Sequence, residues 1–142
     1  MRALGVDLGS KRIGIAVSDS SGTIASPLTV VDRSRSRRGD LDEIARIARD
    51  EEVELIVVGL PLTLRGEVGH AAEAAIAEAA RLATVVGVPV ETHDERLTTV
   101  TAERSLIEAG MRGEQRRRVV DKVAAAVMLQ SWLDARRARS AP

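Results

Sequence analysis

The sequence predicts a mixed α/β fold, a five-stranded mixed sheet flanked by helices. Three observations carry that prediction. Residues 2–8 and 12–18 are short runs in which apolar residues alternate with small or polar ones, joined by Gly9-Ser10-Lys11; this is the period of a β-hairpin. Downstream, strand-like and helix-like segments alternate, as a sheet with helical crossovers requires. The apolar residues are almost wholly aliphatic, with one Trp and no Phe or Tyr in 142 residues. A chain of this length is expected to form one domain over 1–142 with a real core.

The elements follow in order. Leu4, Val6 and Leu8 alternate with Ala3, Gly5 and Asp7, and Ile13, Ile15 and Val17 alternate with Gly14, Ala16 and Ser18. Asp19–Gly22 reads as a turn. Thr23–Val31 reads as a third strand, with Pro27 marking an edge or a bulge. Arg33–Gly39 reads as a basic loop. A helix is expected from about Leu41 to Glu52, opened by the capping-box-like pair Asp40 and Glu43 and striped by Leu41, Ile44 and Ile47. Glu54–Val58 has the composition of a fully buried strand, ended by Gly59-Leu60-Pro61. A loop to about Gly66 precedes an Ala-rich helix expected to stop at Gly87. Val88–Thr92 is a short strand in which Pro89 suits only the first positions. Thr98 or Thr99 caps a helix closing at Gly110, and a last helix runs from about Glu114 to Ala135. Arg136–Pro142 is expected to be a disordered tail.

Composition removes several function classes. The formal net charge is zero, so no global field draws in a polyanion. A near absence of aromatic residues makes stacking on bases a weak option. With no Cys, disulfides, thiolate catalysis and Cys-ligated zinc or iron–sulfur centres are excluded. No apolar run is long enough to span a bilayer, and a cytoplasmic protein is the default expectation.

Asp7 is the most informative residue. It shares a strand face with Ala3 and Gly5, where an acid has no packing reason to sit and needs a cation, a donor or a phosphate-bearing substrate. A second acid comes from His93-Asp94-Glu95-Arg96, where Glu95 and Asp94 compete. A third is Asp121, whose same-face helix neighbours are Arg117, Arg118, Ala124 and Ala125. The alanines would let that helix lie close to a sheet. Binding sites in such sheets gather at the carboxyl ends of strands, and Asp7, Gly59-Leu60-Pro61 and Asp94-Glu95 all fall at predicted ends. Hard oxygen ligands favour Mg2+ or Mn2+ over zinc. Two such ions about 4 Å apart can activate water and stabilise a leaving alkoxide. Of the two histidines, His93 adjoins the acidic turn, with a surface or capping role expected, and His70 opens the Ala-rich helix.

Four blocks together resemble a known family: Gly5-Val6-Asp7-Leu8-Gly9-Ser10-Lys11-Arg12-Ile13-Gly14, Val58-Gly59-Leu60-Pro61, Asp94-Glu95-Arg96-Leu97-Thr98-Thr99, and Asp121 followed by Ala124-Ala125 and Leu129-Gln130. In this order the chain resembles the YqgF family, also called RuvX, of RNase H-like nucleases. The resemblance implies an RNase H-like fold and a metal-dependent nuclease with Asp7, Glu95 and Asp121 as its acidic triad, and so selects Glu95 over Asp94. It also implies a role in 5′-end maturation of pre-16S rRNA, on ribosomal precursor particles in the bacterial cytoplasm. Relatives have also been discussed as Holliday junction resolvases acting on branched DNA.

Lys11 and Arg12 in the turn after Asp7, Arg96 after Glu95, and Thr98 as a neutral donor are the candidate nucleic-acid contacts. For Arg12 and Arg96, bracing of the acids is the equal alternative. Arg33, Arg35, Arg37 and Arg38, and Arg116–Arg118, form more diffuse basic surfaces. Two other functions compete with the nuclease: an actin-like nucleotide-binding module, from the Asp7–Gly9 hairpin, and a non-catalytic ribosome-assembly factor. The Ala-rich helix or the last helix could pair two copies as a homodimer.

Overall fold

The computed structural model describes residues 1–61, 68–94, 110 and 113–140. Its strands are β1 (Ala3–Leu8), β2 (Arg12–Ser18), β3 (Ala25–Asp32), β4 (Leu55–Leu60) and β5 (Val90–Asp94). Its helices are α1 (Arg37–Asp50), α2 (His70–Ala83) and α3 (Gly113–Ser140). The five strands form one mixed sheet in the order β3-β2-β1-β4-β5. β1 pairs antiparallel with β2, and parallel with β4, which pairs parallel with β5. The carboxyl ends of β1, β4 and β5 therefore open on one edge of the sheet, bringing together ends that the sequence alone leaves apart.

Strand alternation sorts the sheet into two cores. Leu4, Val6, Ile13, Ile15, Ile56 and Val58 pack with Leu41 and Ile44 of α1 and with Leu82 of α2. On the other face, Ala3, Ala16, Leu55 and Val57 pack under Ala125, Met128, Leu129 and Trp132 of α3. The small residues of that face explain how α3 can lie so low. A Cβ on Gly5 would stand 2.9 Å from Leu129 Cβ and 3.2 Å from the Ala125 carbonyl oxygen. Gln130 locks α3 to the edge strand: its amide oxygen accepts from Ala25 N at 2.8 Å, and its nitrogen donates to Thr23 O at 2.9 Å. The register shifts between Ile15 and Ala16, where Ala16 faces Pro27. Pro27 thus sits at an irregularity on an edge strand, as expected.

Several boundaries differ from expectation. α1 begins at Arg37, inside the expected basic loop, because Ser36 is the N-cap and accepts from Gly39 N at 2.9 Å. Asp40 is not the cap; it is buried and accepts from both the amide and the hydroxyl of Ser34. Ser36→Ala is expected to cost about 1 kcal/mol, read as a lower urea midpoint, whereas a helix capped at Asp40 would not respond. α2 ends at Ala83, before Gly87, with Val85 and Val86 turning back to pack on the core. The residues after it, Thr84-Val85-Val86, are β-branched and poor helix formers.

The expected tail from Arg136 is instead helical to Ser140. Its Ala and Arg residues are good helix formers. Arg136 lies 5.7 Å over the Trp132 ring and Arg137 pairs with Asp134 at 2.8 Å. Positive charge in a last turn also suits the helix dipole. The expected loop before Gly66 falls mainly, and the helix from Thr98 largely, outside the described residues.

Candidate active site

The site grows from one close approach. Asp7 on β1 stands directly opposite Gly14 on β2, and opposed residues of an antiparallel pair project to the same face. A Cβ on Gly14 would come 1.9 Å from the carbonyl oxygen of Asp121. Only a residue without a side chain lets the backbone of α3 rest there. Asp7 therefore stands on the α3 face of the sheet, beside the glycine on which the Asp121 turn is seated. It is half-buried, as is Asp121.

Arg12, two residues before Gly14 and on the same face, donates its Nε to Asp121 Oδ2 at 2.5 Å. The side chains are 22% and 25% exposed, so the pair is partly desolvated and stronger than a surface contact. Asp121 holds the Arg12 guanidinium above its usual pKa through this hydrogen bond. The expected alternative partner on the helix, Arg117, is exposed. Lys11, also exposed, sits in the tight turn between β1 and β2. In that turn Gly9 N donates to Asp7 O at 3.1 Å.

Strand parity separates the two residues that end β5. Asp94 pairs with Leu60, and His93 with Gly59. Leu60 shares the face of Val58, which packs with α1 and α2, so Asp94 lies on the face opposite Asp7. His93 lies on the α3 face, where its Nε2 is 3.0 Å from Ser131 Oγ; burial pushes its pKa below the usual value. Glu95, Arg96 and Thr98 lie outside the described residues. Among the described residues no group of three His, Cys, Asp or Glu is placed to hold a metal.

The basic segments divide. Arg33 is only 14% exposed and forms ion pairs with Glu78 and Asp40, so it is no part of a solvated surface. Arg37 and Arg38 are exposed. Arg118 pairs with Asp32 at 2.8 Å. Beside Asp121, a groove of about 300 Å³ is lined by Leu28, Thr29, Val30, Gln115, Arg118 and Lys122. A larger groove of about 540 Å³ lies between β3 and α1, and neither Asp7 nor Asp121 lines it. Among the described residues no helix is long and apolar enough to cross a membrane.

Comparison with known proteins gives the family and the fold. A family model described as "RuvX: Holliday junction resolvase" matches residues 1–135. The chain belongs to the RuvX family. A Myxococcus xanthus protein named "Putative pre-16S rRNA nuclease" is 49% identical over 137 residues, covering 96% of this chain and 90% of the relative. A Nocardia farcinica protein of the same name is 48% identical, covering 96% of this chain and 79% of its own. In structure, the RuvX chain is similar to Thermus thermophilus RuvC solved with a Holliday junction substrate. That match has a TM-score of 0.60 and 21% identity, over 97% of this chain and 96% of RuvC. The likeness shows the RNase H-like fold of this RuvX chain.

Proposed function

We propose that this RuvX-family chain is a metal-dependent nuclease that hydrolyses phosphodiester bonds in 5′-end maturation of pre-16S rRNA, in the cytoplasm. The observation that carries the reading is the seating of Asp121 on Gly14, directly beside Asp7. Two acids far apart in sequence share one face at the edge where the carboxyl ends of β1, β4 and β5 open. The family and the names borne by relatives at 47–49% identity supply the substrate.

The donor set fits a hard divalent cation. Asp7 and Asp121 are oxygen donors, and the chain has no Cys to favour a softer metal. Glu95 is proposed as the third ligand, on its sequence position and because Asp94 faces the other side of the sheet. Bound there, Mg2+ or Mn2+ would supply Lewis acidity toward the phosphoryl oxygens and activate a water for in-line attack. The chain's own groups do the rest. Asp7 is held in direction by its strand. Asp121 is held by Arg12 Nε, and the guanidinium also balances its charge. Lys11, Arg96 and Thr98 are proposed to hold the phosphates. Lys122 and Arg118 along the 300 Å³ groove offer the flanking strand a way out.

The reading is tested by incubating the chain with a 5′-extended 16S precursor RNA and with a four-way DNA junction, each with Mg2+ or Mn2+. Cleavage of the RNA is expected. Cleavage confined to the junction would assign the chain to branched DNA, and ATP binding without cleavage of either would favour the nucleotide-binding module. Lys11→Gln is expected to weaken RNA binding and to flatten the dependence of log affinity on log salt by about 0.7, the contribution of one phosphate contact on a single strand.

A further inference from the structure

Among the described residues two carboxylates are buried, Asp40 on α1 and Glu78 on α2, each 3% exposed. Neither belongs to the proposed site. Both converge on Arg33, just beyond β3. Its Nη1 and Nη2 bind the two oxygens of Glu78 at 2.5 and 2.8 Å, and its Nη1 stands 3.8 Å from Asp40 Oδ2. The other end of the same residue grips the hairpin turn. Arg33 Nε donates to Gly9 O at 3.0 Å and its amide donates to Lys11 O at 2.9 Å. The turn between Asp7 and Arg12 is thus held at both ends by one residue, which is clamped in turn by two helices on the opposite face of the sheet.

Such a cluster is a poor device for stability alone. Buried ion pairs pay heavily for desolvation, and apolar packing of similar volume often serves as well. A planar guanidinium does offer fixed direction: it meets a carboxylate in two parallel bonds and leaves Nε aimed elsewhere. Here the direction it fixes is that of the Gly9 carbonyl. The turn is tight: a Cβ on Gly9 would meet Arg12 O at 2.4 Å, so the backbone at Gly9 lies close against that of Arg12 at the other end of the turn.

We propose that Arg33 is a positioning residue: held by Glu78 and Asp40, it sets the geometry of the Gly9–Lys11 turn. The turn in turn aims Lys11 at a substrate phosphate and Arg12 at Asp121. The second half rests on the nuclease reading above; the first does not. Arg33→Lys keeps the cluster charged and is the variant least exposed to misfolding, with Glu78→Gln as the second.

Amide hydrogen exchange on the full chain reads the first half. The Gly9–Arg12 amides are expected to exchange about tenfold faster in Arg33→Lys, with β4 and α3 unchanged. RNA titration against salt reads the second half. Arg33→Lys is expected to flatten the slope by about the 0.7 of one contact, and the flattening must vanish in a Lys11→Ala background. A rise in exchange shared equally by β4 and α3, or an unaltered slope in a chain that binds RNA, overturns the proposal. If the wild-type chain binds no RNA while the turn alone loosens, the nuclease reading fails and the turn-setting role of Arg33 stands.

Discussion

Asp7→Asn is expected to leave a folded protein that no longer cleaves precursor RNA. Asn has the shape of Asp but lacks the negative charge a divalent cation needs. Loss of an outer partner of a metal ligand costs 10–100-fold, so loss of the ligand itself should exceed about 100-fold in rate, or roughly 2.7 kcal/mol of barrier. Stability should move little, by about 1 kcal/mol or less, because the residue is only half-buried and no cavity is made. Single-turnover cleavage and a denaturant titration on the same preparation check both halves. Cleavage at the wild-type rate would remove Asp7 from the mechanism.

Gly14→Ala is expected to damage stability and activity together. The added carbon meets Asp121 O at 1.9 Å, Asp121 C at 2.5 Å and Lys122 N at 3.2 Å. All three are backbone atoms, so no side chain can swing aside and α3 must lift from β2. Overpacking of this kind costs about 1–3 kcal/mol, which in a chain of this size lowers Tm by about 2–4 °C per kcal/mol. Lifting α3 also carries Asp121 away from Asp7, and a misplacement of about 1 Å can cost about 100-fold in rate. Gly87→Ala is the control, since a Cβ there meets nothing within 4 Å; it should change neither Tm nor cleavage. An unaltered Tm in Gly14→Ala would show that the close approach does not govern the site.

Much of this was legible in the residues. The alternation Ala3-Gly5-Asp7 against Leu4-Val6-Leu8 predicts a strand with a small-residue face, and the structure uses that face to seat α3. Ala124 and Ala125 predict a helix that lies close to a sheet; both are buried, and Ala125 packs with Ala3, Ala16 and Val57 of the sheet. What was not legible depends on pairings between distant residues. Arg12 and Asp121 are 109 positions apart, and no local pattern marks them as partners. Arg33 reads as one more arginine in a basic stretch, because its carboxylate Glu78 lies 45 residues on in an otherwise alanine-rich helix. Asp40 looks like a helix cap by spacing, but burial turned it toward Ser34 and left Ser36 to cap α1. The rivalry of Asp94 and Glu95 could not be settled by residue type. The face that Asp94 takes follows only from the register of β5 against β4, and Glu95 lies outside the described residues.

Whether Asp7 and Asp121 hold one ion is tested most directly by Mn2+ titration by calorimetry on the wild-type chain, Asp7→Asn and Asp121→Asn. Saturable binding by the wild type and at least about tenfold weaker binding by each variant are expected. Equal affinity in all three would contradict a shared site, because the two carboxylates would then not be holding the same ion.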